Sequence, residues 1–362
     1  MTATVLSRFP APLTGKIGRN SWTVSGDATT GLGGDAFSLV RDDRRFETSP
    51  TISGTDRDVL SVPIDDLPYL TGWGVPLLAG STGGAPYHLA IVAVALVLEG
   101  RSEGHAFLHG DIDRFQIDPL RSWVNTVLPQ RVPVPVCLDA GLLLSRLLGI
   151  YRDTDNAVRR FRALYLGTEG ELQGEVHRQL GEDGVRRMVR DELRRHASFL
   201  QLRPASVILN YLDRTEDPGE LVRLSDEMAR AVSPGFGRRE LVTILARAGV
   251  TVPREQRPGQ HRSPGVNPID EAEERFGAEY YRTRATIPVP ERYIPREELL
   301  DLVAPCGAPQ RGEFAEIIDL ETQRYRRDSG NEPPPRTRSD PPPIDGERFI
   351  RWQIDLARGH CR

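Results

Sequence analysis

The chain has 362 residues, 38% hydrophobic and 27% charged, with a formal net charge of −4. That length accommodates two or three domains of roughly 100–200 residues. The near-balance of charge argues against a phosphate-backbone partner, which a concentrated basic excess would announce. Lys16 is the single lysine, so the basic side chains are arginines, and they alternate with acids.

Cys137, Cys306 and Cys361 are far apart and odd in number, which fits neither a disulfide framework nor a zinc half-site and points to a reducing compartment. The first twenty residues carry prolines where a signal peptide would need a continuous apolar region. The longest apolar run, Leu89–Leu98, is about half of the ~20 residues a bilayer span requires. The expectation is a cytoplasmic protein without a membrane partner.

Residues 1–79 alternate glycine- and aspartate-rich turns with short apolar pieces at Trp22–Val24, Ala36–Val40 and Val59–Ile64. They predict short strands and loops packed on the next segment. Residues 80–150 form the organising stretch. A glycine-rich turn from Gly80 leads into an apolar helix whose all-round hydrophobicity marks it as enclosed by other elements. His105–His109 reads as a short buried strand. Asp118-Pro119 reads as a helix start, with aspartate as cap and proline in the first turn, and Val132–Leu138 as a second strand. Asp139 caps a further helix rich in leucine. A strand–helix–strand unit of this length predicts neighbouring parallel strands with a right-handed crossover. The predicted fold class is therefore an α/β core, a small and partly parallel sheet with a β-rich N-terminal segment, followed by a predominantly α-helical region.

Residues 151–250 predict a helical array. Leu172, Val176 and Leu180 form one stripe that Gly181 closes, and Val185, Val189 and Leu193 form a second. The other face carries Arg186, Arg187, Arg190, Arg194 and Arg195 beside Asp191 and Glu192, the pattern of a solvated face. Asp217-Pro218-Gly219-Glu220 reads as a capping box, and Gly249 as the residue that ends the last helix. Residues 251–268 are a linker or long loop, 269–328 a set of charged helices, and 329–345 a proline-rich spacer. Residues 346–362 form a C-terminal amphipathic segment. Few apolar residues follow Asn331, so this tail is expected to add little to the stability of the core.

The candidate chemistry lies where the two predicted strands end. His109, Asp111 and Asp139 would gather beyond the carboxyl ends of the sheet, the usual place for a ligand in such folds, with His105 and Asp113 nearby. Asp111 and Asp139 could hold a divalent metal, and His109 could act as a base near neutral pH. His105 and His109 would lie ~13 Å apart along a strand and so cannot share a metal. Gly83 and Gly84, at a helix N-terminus, are candidate contacts for a bound anion. The local reading competes, because Asp113, Asp118 and Asp139 each have a turn or cap to serve. No H-E-x-x-H, G-x-S-x-G or Walker pattern occurs. The favoured function is a protein–protein interaction or adaptor protein, binding another protein through the helical region and the tethered C-terminal segment. The alternative is a metal-dependent hydrolase that uses the His109/Asp111 cluster, the only reading that calls for a cofactor.

Overall fold

A computed structural model of the chain describes residues 1–10, 13–17, 21–26, 37–40, 58–61, 87–109, 112, 114–257, 288–304, 306–330 and 346–357. In chain order these form helix α1 (Thr2–Arg8), strands β1 (Leu13–Ile17), β2 (Ser21–Gly26) and β3 (Phe37–Val40), and helices α2 (His88–Glu99), α3 (Arg114–Val127), α4 (Ala140–Ile150), α5 (Thr154–Leu164), α6 (Glu169–Leu193), α7 (Leu202–Leu212), α8 (Gly219–Ala231), α9 (Arg238–Arg247), α10 (Arg296–Val303), α11 (Arg311–Gly330) and α12 (Gly346–Ala357). Two compact units divide the chain. Unit 1 comprises Met1–Gly167, Asn267–Glu273 and Pro342–Arg362, and unit 2 comprises Thr168–Val266 and Glu274–Pro341.

The predicted α/β core is overturned, because the protein is mostly helical. Its described strands make one antiparallel sheet, ordered β1–β2–β3, in which Leu13 pairs with Gly26 and Ser21 with Val40. Neither His105–His109 nor Val132–Leu138 is a strand, and no parallel ladder joins them. Residues 131–135 are irregular and lead into a short 3-10 turn at Val136–Leu138. Pro133 and Pro135 remove two of the amides that a ladder would need, and a single buried side chain takes the place of the ladder, as described below.

In unit 1, α2 is buried on almost every side, from Leu89 through Val97. Helix α3 starts at Arg114, four residues before the predicted Asp118 cap, and carries Pro119 inside it. Proline there forfeits one intrahelical bond. The helix is held by the face it buries, which includes Ile117, Leu120, Trp123 and Val124. Asp118 lies exposed on its surface, 3.6 Å from Arg114. Asp139 does cap α4, its Oδ1 accepting the Leu142 N–H at 2.9 Å.

The C-terminal helix α12 packs on α3, and this corrects the expectation of a dispensable tail. Phe349, Ile350 and Ile354 are 2%, 0% and 2% exposed, so three apolar side chains at helical spacing are fully removed from water. Gly346 allows the close approach, since a Cβ there would strike the Pro119 carbonyl oxygen and meet Trp123 Cβ at 2.8 Å. Phe9 completes the surroundings of Trp123 with an edge-on ring contact, the centroids 5.7 Å apart.

Unit 2 opens with a capping box in which Thr168 Oγ1 accepts the Glu171 N–H at 3.2 Å and Glu171 Oε2 accepts the Thr168 N–H at 2.9 Å. Helix α6 breaks at Gly181, where φ is 69°, at the glycine that closes the first apolar stripe. The predicted capping box at α8 does not form: Pro218 is the N-cap, Asp217 Oδ1 accepts the Gly219 N–H at 2.8 Å, and Glu220 turns to Arg223. Helix α11 lies along α9, tied by Arg247 to Glu321 at 3.1 Å and by Thr251 to Thr322 at 2.7 Å. Arg296 pairs two-fold with Asp319 at 2.6 and 2.7 Å, joining α10 to α11.

Candidate functional site

Of the residues singled out from the sequence, Asp111, Asp113, Gly83 and Gly84 lie outside the described residues. His105 and His109 are both exposed, and the His109 ring stacks on Phe107 with centroids 6.3 Å apart. The Asp139 carboxylate is engaged as the α4 cap. Among the described residues no three His, Cys, Asp or Glu side chains cluster as a metal site would require.

What joins the two predicted strands is Glu99, at the C-terminal end of α2 and 6% exposed. Its Oε2 accepts the Leu108 N–H at 2.5 Å, and its Oε1 accepts the Val136 N–H at 2.6 Å. One carboxylate thus satisfies two buried amides on two irregular segments, which is what a pair of ladder bonds would otherwise have done. Burial raises the Glu99 pKa above the ordinary glutamate value, against the lowering effect of both amides and of Arg146. The Cys137 thiol is also pushed up, first by burial and then by the Glu99 charge, so it is a packing residue rather than a nucleophile. Arg146 makes a two-fold pair with Asp58 at 2.9 and 2.6 Å, and the Tyr151 hydroxyl donates to the Leu60 carbonyl at 3.1 Å. These bonds fix the Val59–Ser61 turn against α4.

Beside this framework stands Arg160, which the sequence reading missed. It lies on the buried face of α5 with Ala157, Val158, Phe161 and Leu164, and is 2% exposed. Its Nε and Nη1 have no hydrogen-bond acceptor among the described residues. Burial lowers its pKa, an effect that Tyr151 partly opposes. The His109 imidazole is held below its ordinary value by desolvation and then by the Arg160 charge. The signal was present in the sequence: an arginine three residues after Ala157 and four before Leu164 sits on the apolar stripe, where a charged side chain needs a reason.

Unit 2 shows what a satisfied buried arginine looks like. Arg257 is 9% exposed. It donates to the carbonyls of Val252 at 2.8 Å, Arg292 at 2.9 Å and Val250 at 3.3 Å, and also to that of Pro290. Arginines on the charged face of α6 have acidic neighbours, although the buried Arg190 Nε has no hydrogen-bond acceptor among the described residues. Arg186 and Arg190 reach Glu220 and Glu227 of α8 at 3.4 and 3.7 Å, and Arg194 and Arg195 reach Asp191 and Glu192 at 3.3 and 3.7 Å.

No helix among the described residues is long and apolar enough to cross a membrane. No protein-family model matches the chain, and comparison with curated proteins and with solved structures gave no match.

Proposed function

We propose that this chain is a protein-binding adaptor whose recognition element is a helix seated on a helical surface in unit 1. The observation that carries the reading is the seating of α12 on α3 through Phe349, Ile350 and Ile354. An amphipathic helix with its apolar face in a groove is a common mode of recognition between proteins. Here the helix follows a sequence with two proline triplets, Pro333-Pro334-Pro335 and Pro341-Pro342-Pro343, a composition suited to an extended spacer. A partner carrying apolar residues at the same spacing competes for the same surface. A tethered helix acts at an effective concentration on the order of millimolar, so the partner engages when the cis helix is displaced.

The test uses the full chain with Ile350→Asp, which places a charge on the buried face of α12. The variant is expected to bind a fluorescent peptide of residues 342–362 in trans roughly a hundredfold or more tightly than the wild type does. Hydrogen exchange on the wild type is the second measurement, and α12 amides are expected to exchange through an opening that leaves α3 protected. The reading fails if the folded variant ignores the peptide. It also fails if α12 exchanges only when all of unit 1 unfolds, since the helix is then plain core.

A further inference from the structure

We propose that a second copy of this chain is a partner, and that two copies exchange their residues 1–180 when α6 straightens at Gly181. The proposal is independent of the adaptor reading, since it rests on the shape of α6 and not on displacement of α12. A straight helix would hold Glu169 and Glu192 about 35 Å apart, far more than two glutamate side chains and a guanidinium can span. Both nevertheless reach Arg203, whose Nη2 lies 3.1 Å from Glu169 and whose Nε lies 3.2 Å from Glu192. The two halves of α6 therefore fold back on each other. The turn is tight, because a Cβ at Gly184 would meet Leu180 Cβ at 2.6 Å and Val176 Cγ1 at 3.5 Å.

One residue makes this bend. Gly181 has φ 69° and ψ −172° and is the single non-helical residue between Glu169 and Leu193. That backbone region is open to glycine and closed to residues with a Cβ. Rotating Gly181 into the α region makes α6 one continuous helix and restores the intrahelical hydrogen bonds that the break forfeits. Residues 169–180 then leave their own α7 and meet the α7 of the second copy, where the same contacts await them. Gln173 Nε2 donates to the Val207 carbonyl at 2.9 Å, and Glu169 pairs with Arg203. Gly170 and Gly174 give Asn210 and Arg214 room, since a Cβ would lie 2.8 Å from Asn210 Oδ1 or 3.2 Å from Arg214 Nη2. Each contact is closed within the monomer and between copies in the exchanged dimer. Because residues 1–180 move as a whole, α3 of one copy receives α12 of the other. A one-residue hinge between two helices thus yields a dimer that needs no new interface.

The experiment refolds the full-length protein from urea at rising concentration and measures the dimer by size-exclusion chromatography with light scattering. The wild type is expected to give a dimer whose share grows with concentration. Gly181→Ala disfavours the bend and favours the helix, and should lower the concentration of half-dimerisation roughly tenfold or more. A cysteine pair identifies the exchange. With Cys306 and Cys361 replaced by serine, Gly170→Cys and Asn210→Cys set two thiols at facing positions, since a Cβ at Gly170 lies 3.8 Å from Asn210 Cγ. Oxidation of the monomer peak should close the link within one chain, and oxidation of the dimer peak should join two chains on a non-reducing gel. If Gly181→Ala does not fold, the wild-type dimer and its cysteine pair decide alone. A wild type that stays monomeric at every concentration, a Gly181→Ala dimer no tighter than that of the wild type, or a dimer peak in which the pair closes within each chain would overturn the proposal.

Discussion

Replacing Glu99 by alanine tests how unit 1 holds its irregular segments. The carboxylate accepts the Leu108 N–H at 2.5 Å and the Val136 N–H at 2.6 Å, and both residues are buried, at 8% and 7% exposure. Alanine leaves two amides without an acceptor at about 1–3 kcal/mol each, a loss of about 2–6 kcal/mol in all. Release from the cost of burying a carboxylate offsets part of this, so the expected net loss is about 2–4 kcal/mol. With a urea slope of about 2 kcal/mol per molar, the midpoint falls by about 1–2 M. Trp22, Trp73, Trp123 and Trp352 all belong to unit 1, so tryptophan fluorescence follows that unit alone. Glu99→Gln keeps one acceptor oxygen but turns an NH2 toward the other amide, and should fall between the two. Because the folded pKa of Glu99 is raised above 4.5, the native state binds its proton more tightly than the unfolded chain. Stability from this group is therefore gained as pH falls through the folded value toward 4.5 and is complete below it, and Glu99→Gln should lack that slope. An alanine variant whose midpoint stays within about 0.3 M of the wild type would refute the clamp.

Gly249 ends α9 at φ 74°, and a Cβ there would meet the Tyr325 ring at 2.5 Å, so Gly249→Ala should cost unit 2 about 1–3 kcal/mol. Circular dichroism in urea measures it, and an unchanged second half of the unfolding curve would count against the packing of α11 on α9. Iodoacetamide should modify the exposed Cys306 in the native protein and reach the buried Cys137 only after denaturation. Peptide mass spectrometry reads both sites, and early labelling of Cys137 would mean that the α2–Val136 junction opens readily.

Helices were legible wherever packing and local chemistry agreed. Asp139 reads as a cap and is one, Gly181 marks a break and sits at one, and Arg296–Val303 is a charged helix within the 269–328 stretch expected to hold them. The α/β core failed because extended segments were equated with paired strands. The valines, Cys137 and Leu138 of Val132–Leu138 promise burial, and all but Val134 are indeed buried. They carry no information about whether the amides meet a neighbouring backbone or a carboxylate supplied by Glu99, 37 residues before Val136. Asp118-Pro119 misled in a similar way, since a local start signal was overridden by the buried face of α3. Docking of α12 is illegible in the sequence because its apolar face packs on α3, more than 200 positions earlier, and periodicity alone names no acceptor for such a face. Arginine is usually a surface residue, and Arg160 on the apolar stripe of α5 is an exception that the periodicity of the apolar residues does not announce.

Unit 1 is discontinuous in sequence, which has a consequence for synthesis. Roughly 175 residues separate Gly167 from Pro342, and at about 5–20 residues per second a ribosome needs about 9–35 s to make them. During that interval the face of α3 around Trp123 has been translated but α12 has not, while all of α6 to α11 can emerge and fold. A nascent chain truncated anywhere after Gly167 and before α12 therefore presents that apolar face to chaperones and proteases. A premature stop late in the gene would thus damage the part of the protein made first.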